Sequence, residues 1–75
     1  MFPKQIKTSK ELGEIIRVVR KSQKLTQFEL AGSLMFGNRL ISEIENGKST
    51  TQIEKVLKRL DGLGIDIVLT KRGEN

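Results

Sequence analysis

A chain of 75 residues makes a single domain with a small interior, and a core of that size supplies only about 3–5 kcal/mol, so it usually needs disulfides, a metal or a second subunit. Cysteine and histidine are both absent, which excludes disulfide staples, Cys/His zinc sites and thiol or triad chemistry, and leaves oligomerisation as the remaining help. Lys and Arg number 14 against 9 acids, a net charge of +5, with only 4% aromatic residues and no Trp or Tyr. That balance points to a polyanion and away from binding by base stacking on aromatics, so duplex DNA read by a helix is favoured over single strands or RNA. Charge alone leaves open an ordinary solvated basic surface.

The first seven residues, MFPKQIK, carry the only proline and no helical period, and read as a basic arm over 1–7. Helix 1 is expected from Thr8, where Thr8 and Glu11 have capping-box spacing and Leu12, Ile15, Ile16 and Val19 follow on one face. KSQK interrupts the pattern at Lys21–Lys24. Thr26 and Glu29 repeat the capping-box spacing ahead of Leu30, Ala31 and Leu34, which predicts helix 2. After a break at Met35–Gly37, helix 3 runs from Asn38 to Glu45 with Ile41 and Ile44 inward, and Asn46-Gly47 stops it with a left-handed end. Thr51 and Glu54 predict a further capping box, followed by the stripe Ile53, Val56, Leu57 and Leu60 of helix 4. Asp61-Gly62 and Gly64 end that helix. Residues 65–70 then alternate, with Ile65, Ile67 and Leu69 on one side and Asp66, Val68 and Thr70 on the other, the period of a half-buried strand. Residues 71–75 form a short tail. No apolar run reaches the length of a signal segment or membrane span, so a soluble cytoplasmic chain with no membrane partner is expected.

Helices 2 and 3 are the informative pair. At about nine and about eight residues, joined by about three, they have helix-turn-helix dimensions, in which the second helix of the pair enters the major groove. Asn38, Arg39, Ser42 and Glu43 form the polar face of helix 3 opposite Ile41 and Ile44. Asn suits adenine, Arg suits guanine, and Glu accepts from cytosine N4. The same residues also suit the solvent side of any short amphipathic helix.

The wording of the segment decides between these. LTQ at Leu25–Gln27, ELA at Glu29–Ala31, IS at Ile41–Ser42 and IENGK at Ile44–Lys48 together resemble the lambda-repressor-like helix-turn-helix domains, the xenobiotic-response-element family. The likeness covers most of residues 8–63. It implies a mostly α fold, a four-helix DNA-binding domain, and groove-facing roles for Asn38, Arg39, Ser42 and Glu43. It further implies that Gln27 touches phosphate and braces helix 3, and that Asn46 and Lys48 contact the DNA backbone. Arg20 and Glu45 match a partly buried ion pair tying helix 1 to the end of helix 3, a structural pair and not a binding group. One position departs from the pattern. The family has a turn glycine where this chain has Met35. Because Met in a left-handed turn costs about 1–2 kcal/mol, a longer helix 2 with its turn displaced toward Gly37 is expected.

The strand needs a partner, since one strand cannot satisfy its own backbone groups. A second copy is the expected one, because helix-turn-helix modules commonly act as two-fold dimers and a two-fold axis lets a strand pair antiparallel with itself. IKTSKEL and LDGLGIDIVL make the chain similar to the HipB-type antitoxins, which implies an intersubunit sheet from the C-terminal strand, with Ile65, Ile67 and Leu69 at the dimer contact facing helices 4 and 1. The alternative is intramolecular pairing with Lys4–Lys7. The dimer would place two recognition helices about 34 Å apart on an inverted-repeat operator. The implied function is a sequence-specific repressor of its own operon that also holds a HipA-like kinase toxin. The alternative is a protein-interaction module that neutralises a partner without reading DNA. No residue pattern points to a cofactor, a metal or an enzyme's acid–base machinery.

Overall fold

The computed structural model describes residues 2–32 and 37–73, with side chains described in the second stretch from Arg39 onward. Four helices are present among them: α1 Ser9–Ser22, α2 Gln27–Ala31, α3 Gly37–Glu45 and α4 Ile53–Gly62. None is long and apolar enough to cross a membrane.

Short polar side chains set the starts of α1 and α2. The Thr8 hydroxyl accepts from the Glu11 N–H at 3.1 Å, while the Glu11 carboxylate turns back to the Lys7 N–H at 3.1 Å. Thr26 and Glu29 close a full capping box, Glu29 N–H to the Thr26 hydroxyl at 3.0 Å and Thr26 N–H to the Glu29 carboxylate at 2.9 Å. The capping box expected at Thr51 and Glu54 does not form. Gln52 is the N-cap of α4, without a side-chain bond, and the Thr51 hydroxyl is buried with no partner among the described residues. Starting one residue later puts Glu54 inside the first turn, where its charge still favours the positive helix end.

Three helices end alike. In α1 the Leu25 N–H reaches the Arg20 carbonyl and Lys24 N–H reaches Lys21; in α3 Lys48 reaches Glu43 and Gly47 reaches Ile44; in α4 Ile65 reaches Leu60 and Gly64 reaches Asp61. Each is a Schellman motif, with positive φ at the middle residue: Lys24 at 59°, Gly47 at 77° and Gly64 at 74°. The residue after the left-handed position commonly packs back on the helix. Leu25 and Ile65 do so, joining the edge of the core.

Helix 2 is shorter than expected, not longer. Gly32 follows Ala31 with φ 76° and ψ −156°, a region essentially only glycine occupies, and its N–H bonds to the Glu29 carbonyl at 3.1 Å. Met35 and the displaced turn proposed for it lie outside the described residues, as does Leu34.

The core forms where α1, α3 and α4 meet. Ile16, Ile41 and Leu60 are fully buried, with Ile15, Ala31, Ile44, Val56 and Leu63 nearly so. The stripe expected on α4 is split: Val56 and Leu60 face inward, whereas Ile53 and Leu57 are exposed. Helix 1 crosses the end of α3 at backbone contact. A Cβ on Gly13 would lie 2.3 Å from the Ile44 carbonyl oxygen, and one on Gly47 would lie 2.6 Å from the Lys10 Cα. The Ser9 hydroxyl donates to the Gly47 carbonyl at 3.1 Å across the same junction, and the Gln23 amide ties α1 to the Leu63 carbonyl at 2.9 Å.

After the α4 stop the C-terminal segment has no regular secondary structure, and no strand is formed among the described residues. The three residues expected on one inward face separate. Ile65 packs on the core as part of the α4 stop, while Ile67 is 50% and Leu69 92% exposed.

Gly13→Ala is expected to destabilise by about 1–3 kcal/mol, because its methyl meets a carbonyl that cannot move away; this outweighs the roughly 1 kcal/mol of helix propensity gained. Lys24→Gly should stabilise by about 0.5–1 kcal/mol by removing a side chain from a left-handed position. Thermal melts followed by circular dichroism check both, at about 4–8 °C per kcal/mol for a domain of this size.

Candidate nucleic-acid interface

The orientation of α3 is set from its buried end. Glu45 closes the helix and receives Arg20 of α1 in two bonds, Nε to Oε2 at 2.5 Å and Nη2 to Oε1 at 3.0 Å. The third guanidinium nitrogen of Arg20, Nη1, donates to the Leu25 carbonyl at 2.6 Å, just before α2. Gln27, the first residue of α2, donates its amide to the same Glu45 carboxylate at 3.2 Å. Both charged residues are 6% exposed. Burial pushes the Glu45 carboxyl upward, but the hydrogen bonds from Arg20 and Gln27 and the charge of Arg20 outweigh it and hold the group below its ordinary value. One carboxylate thus joins α1, α2 and α3.

Gln27 sits at the mouth of this network, half-buried. Its amide is turned to Glu45, and the N-terminal end of α2 lies beside the end of α3.

Helix 3 shows its polar residues outward. Arg39 is exposed, and Ser42 and Glu43 are half-buried. Asn46 is exposed past the helix end, and its amide lies at 3.5 Å from the Ser42 hydroxyl. The side chain of Asn38 lies outside the described ones. Glu43 and Lys48, expected as base reader and phosphate contact, are brought together: the Lys48 ammonium is bonded to the Glu43 carboxylate. The Lys48 hydrogen bond holds that carboxyl below its ordinary value, with the nearby charges of Arg39 and Lys55 adding to it. Five residues separate the pair in sequence. The Schellman bond from the Lys48 N–H to the Glu43 carbonyl is what folds them together, a signal already present in NGK but not recognised as a side-chain pairing.

The surface assembled this way is a helix face of guanidinium, hydroxyl and amide groups flanked by Lys48 and Lys55. It offers directional donors for base edges and compact charges for phosphates.

The profile of the helix-turn-helix domain matches residues 13–75. The chain belongs to the helix-turn-helix domain family. The match runs past the four helices into the C-terminal segment. An uncharacterized HTH-type transcriptional regulator of Sinorhizobium fredii, y4mF, is 48% identical over 71 residues, covering 95% of this chain and 93% of that one. Among solved structures, a chain of the HipA-HipB-O2-O3 complex superposes with a TM-score of 0.81 at 26% identity, covering 92% of this chain and 97% of that one. A chain of the HipB-O4 20mer complex gives the same values. Both complexes contain HipB. This helix-turn-helix chain is accordingly a transcriptional regulator of the DNA-binding kind, from a family that is not enzymatic.

Removing one partner of the buried pair is expected to cost about 3–5 kcal/mol, as in Glu45→Ala, while the double variant Arg20→Met with Glu45→Leu should be less damaged than either single one. The folded-state carboxyl of Glu45 lies below its ordinary 4.5. Its stabilisation is therefore complete above that pH and is lost as pH falls through the lower folded value. Urea midpoints measured from pH 6 to pH 3 should drop, and the drop should be smaller in Glu45→Gln.

Proposed function

We propose that this chain is a sequence-specific repressor that binds duplex DNA as a homodimer and serves as the antitoxin of a two-gene module in the cytoplasm. The observation that carries the reading is the orientation of α3. A buried network of Arg20, Glu45 and Gln27 holds its end, while Arg39 and Ser42 face out beside Asn46 and Lys48. A regulator that only gripped another protein would have no need of donors matched to base edges next to charges matched to phosphates, on a chain of net charge +5. In this reading Asn38, Arg39, Ser42 and Glu43 address bases, and Gln27, Asn46 and Lys48 address the backbone.

The second copy is supported by what one chain leaves uncovered. Ile67, Val68 and Leu69 are 50%, 78% and 92% exposed, in a segment with no strand partner among the described residues. Antiparallel pairing of two such segments satisfies the backbone groups and covers the apolar side chains. Ile65 belongs to the fold of each protomer, so the dimer contact begins after it. The kinase partner is supported by the likeness to a chain from a complex that contains HipA as well as HipB.

Arg39→Ala should weaken binding to the DNA upstream of the gene by about 1–3 kcal/mol and relax preference at one base position. A base-by-base binding scan with unchanged preferences would remove Arg39 from the groove. Deleting residues 66–75 spares Ile65 and should yield monomers that bind half of the operator weakly and without cooperativity. Sedimentation of the truncated chain decides this: a dimer with full operator affinity would move the interface elsewhere.

A further inference from the structure

Helix 3 carries two acids, Glu43 and Glu45. Glu45 is buried against Arg20. Glu43 is the other, on the side turned to solvent, and an acid there is costly to a DNA-binding surface because every phosphate repels it. The structure shows how that charge is managed: Glu43 is in contact with Lys48, and the charges of Arg39 and Lys55 reach it as well. Lys48 is anchored through its own backbone to the Glu43 carbonyl, so the two side chains share one place in the fold.

This arrangement links two contacts that would otherwise be independent. Where Lys48 turns from Glu43 to a phosphate, Glu43 becomes an acid facing a polyanion, with only the longer-range charges of Arg39 and Lys55 beside it. Only an amino donor in the groove, cytosine N4 above all or adenine N6, can take over the carboxylate. On any other sequence the exchange leaves a charge unsatisfied.

We propose that Glu43 and Lys48 act as one specificity element, an ion pair whose exchange onto DNA is balanced only where the groove presents a base amino group, from cytosine or adenine, to Glu43. Glu43 then lowers affinity for non-cognate duplex more than it raises affinity for the operator. This inference rests on the DNA-binding reading above.

The test uses the full chain and two duplexes, the DNA upstream of its gene and a shuffled sequence of equal length, with affinity measured by fluorescence anisotropy. Glu43→Gln should raise affinity for the shuffled duplex and lower the ratio between the two duplexes, by about three- to tenfold. Lys48→Ala should weaken binding to the shuffled duplex more in the Glu43→Gln background than in the wild type, because only there is the ammonium free beforehand. On the upstream duplex the same coupling should appear, because there too Lys48 leaves Glu43 for a phosphate. In the free protein, the Glu43 carboxyl followed by NMR should titrate at higher pH in Lys48→Ala. An unchanged ratio, additive effects on both duplexes, or an unmoved Glu43 titration would each overturn the proposal. A wild-type chain that bound neither duplex would overturn the DNA-binding reading itself, whereas a wild type that discriminates with additive variants overturns this inference alone.

Discussion

The Glu45 carboxylate is the point on which the rest of the molecule depends. It lies at the end of α3, accepts from Arg20 of α1 and Gln27 of α2, and shares Arg20 with the carbonyl of Leu25. A buried ion pair adds little net stability compared with apolar side chains of the same volume, since desolvation offsets most of its attraction. Its contribution is geometric. Two bonds from a planar guanidinium fix both the distance and the rotation of α3 relative to α1. Any slip along the crossing would leave a buried charge unpaired, so α3 has one seat.

The apolar contacts depend on the same crossing. Gly13 lets the backbone of α1 reach the carbonyls that end α3, and Gly47 lets α3 stop directly against Lys10. Neither position admits a Cβ without displacement of backbone. With the helices this close, Ile16 and Ile44 pack in one cluster, and Val56 and Leu60 join it from α4. In a chain of this size the interior is small, and close approach of backbones gains contact that larger side chains would otherwise supply.

The functional surface follows from the seat given to α3. With Ile41 and Ile44 committed to the core, the helical period turns Arg39, Ser42 and Glu43 outward, and the Schellman stop carries Lys48 back beside Glu43. The exposed side therefore mixes donors with one managed acid. The same kind of stop, after α4, uses Ile65 to return to the core and releases Ile67–Leu69 into solvent. The two stops serve different surfaces, one polar and directional, the other apolar.

Much of this was legible in the residues alone. Helical period marked α1, α3 and the inner half of α4, and Asn46-Gly47 marked the stop of α3, because both signals are local and act through the backbone. The helix-turn-helix wording was legible for the same reason: the pieces at Leu25–Gln27, Ile41–Ser42 and Ile44–Lys48 are contiguous. Other features depended on what packs where. Thr51 had the spacing of a cap, yet its hydroxyl is buried and α4 starts a residue later. Gly32 ended α2, although the turn had been looked for near Gly37, because only a realised φ and ψ separate one glycine from another as a stop. Ile65, Ile67 and Leu69 alternate perfectly, but alternation records a side of the chain and not what lies opposite; the Schellman bond to Leu60 draws Ile65 inward and leaves the other two outside. The sequence by itself determined the helices, the basic character and the family, since these rest on local period and composition. Only the tertiary structure decided which polar groups are joined, Glu45 to three helices and Glu43 to Lys48, because such pairs exist only when distant residues are brought within hydrogen-bond reach.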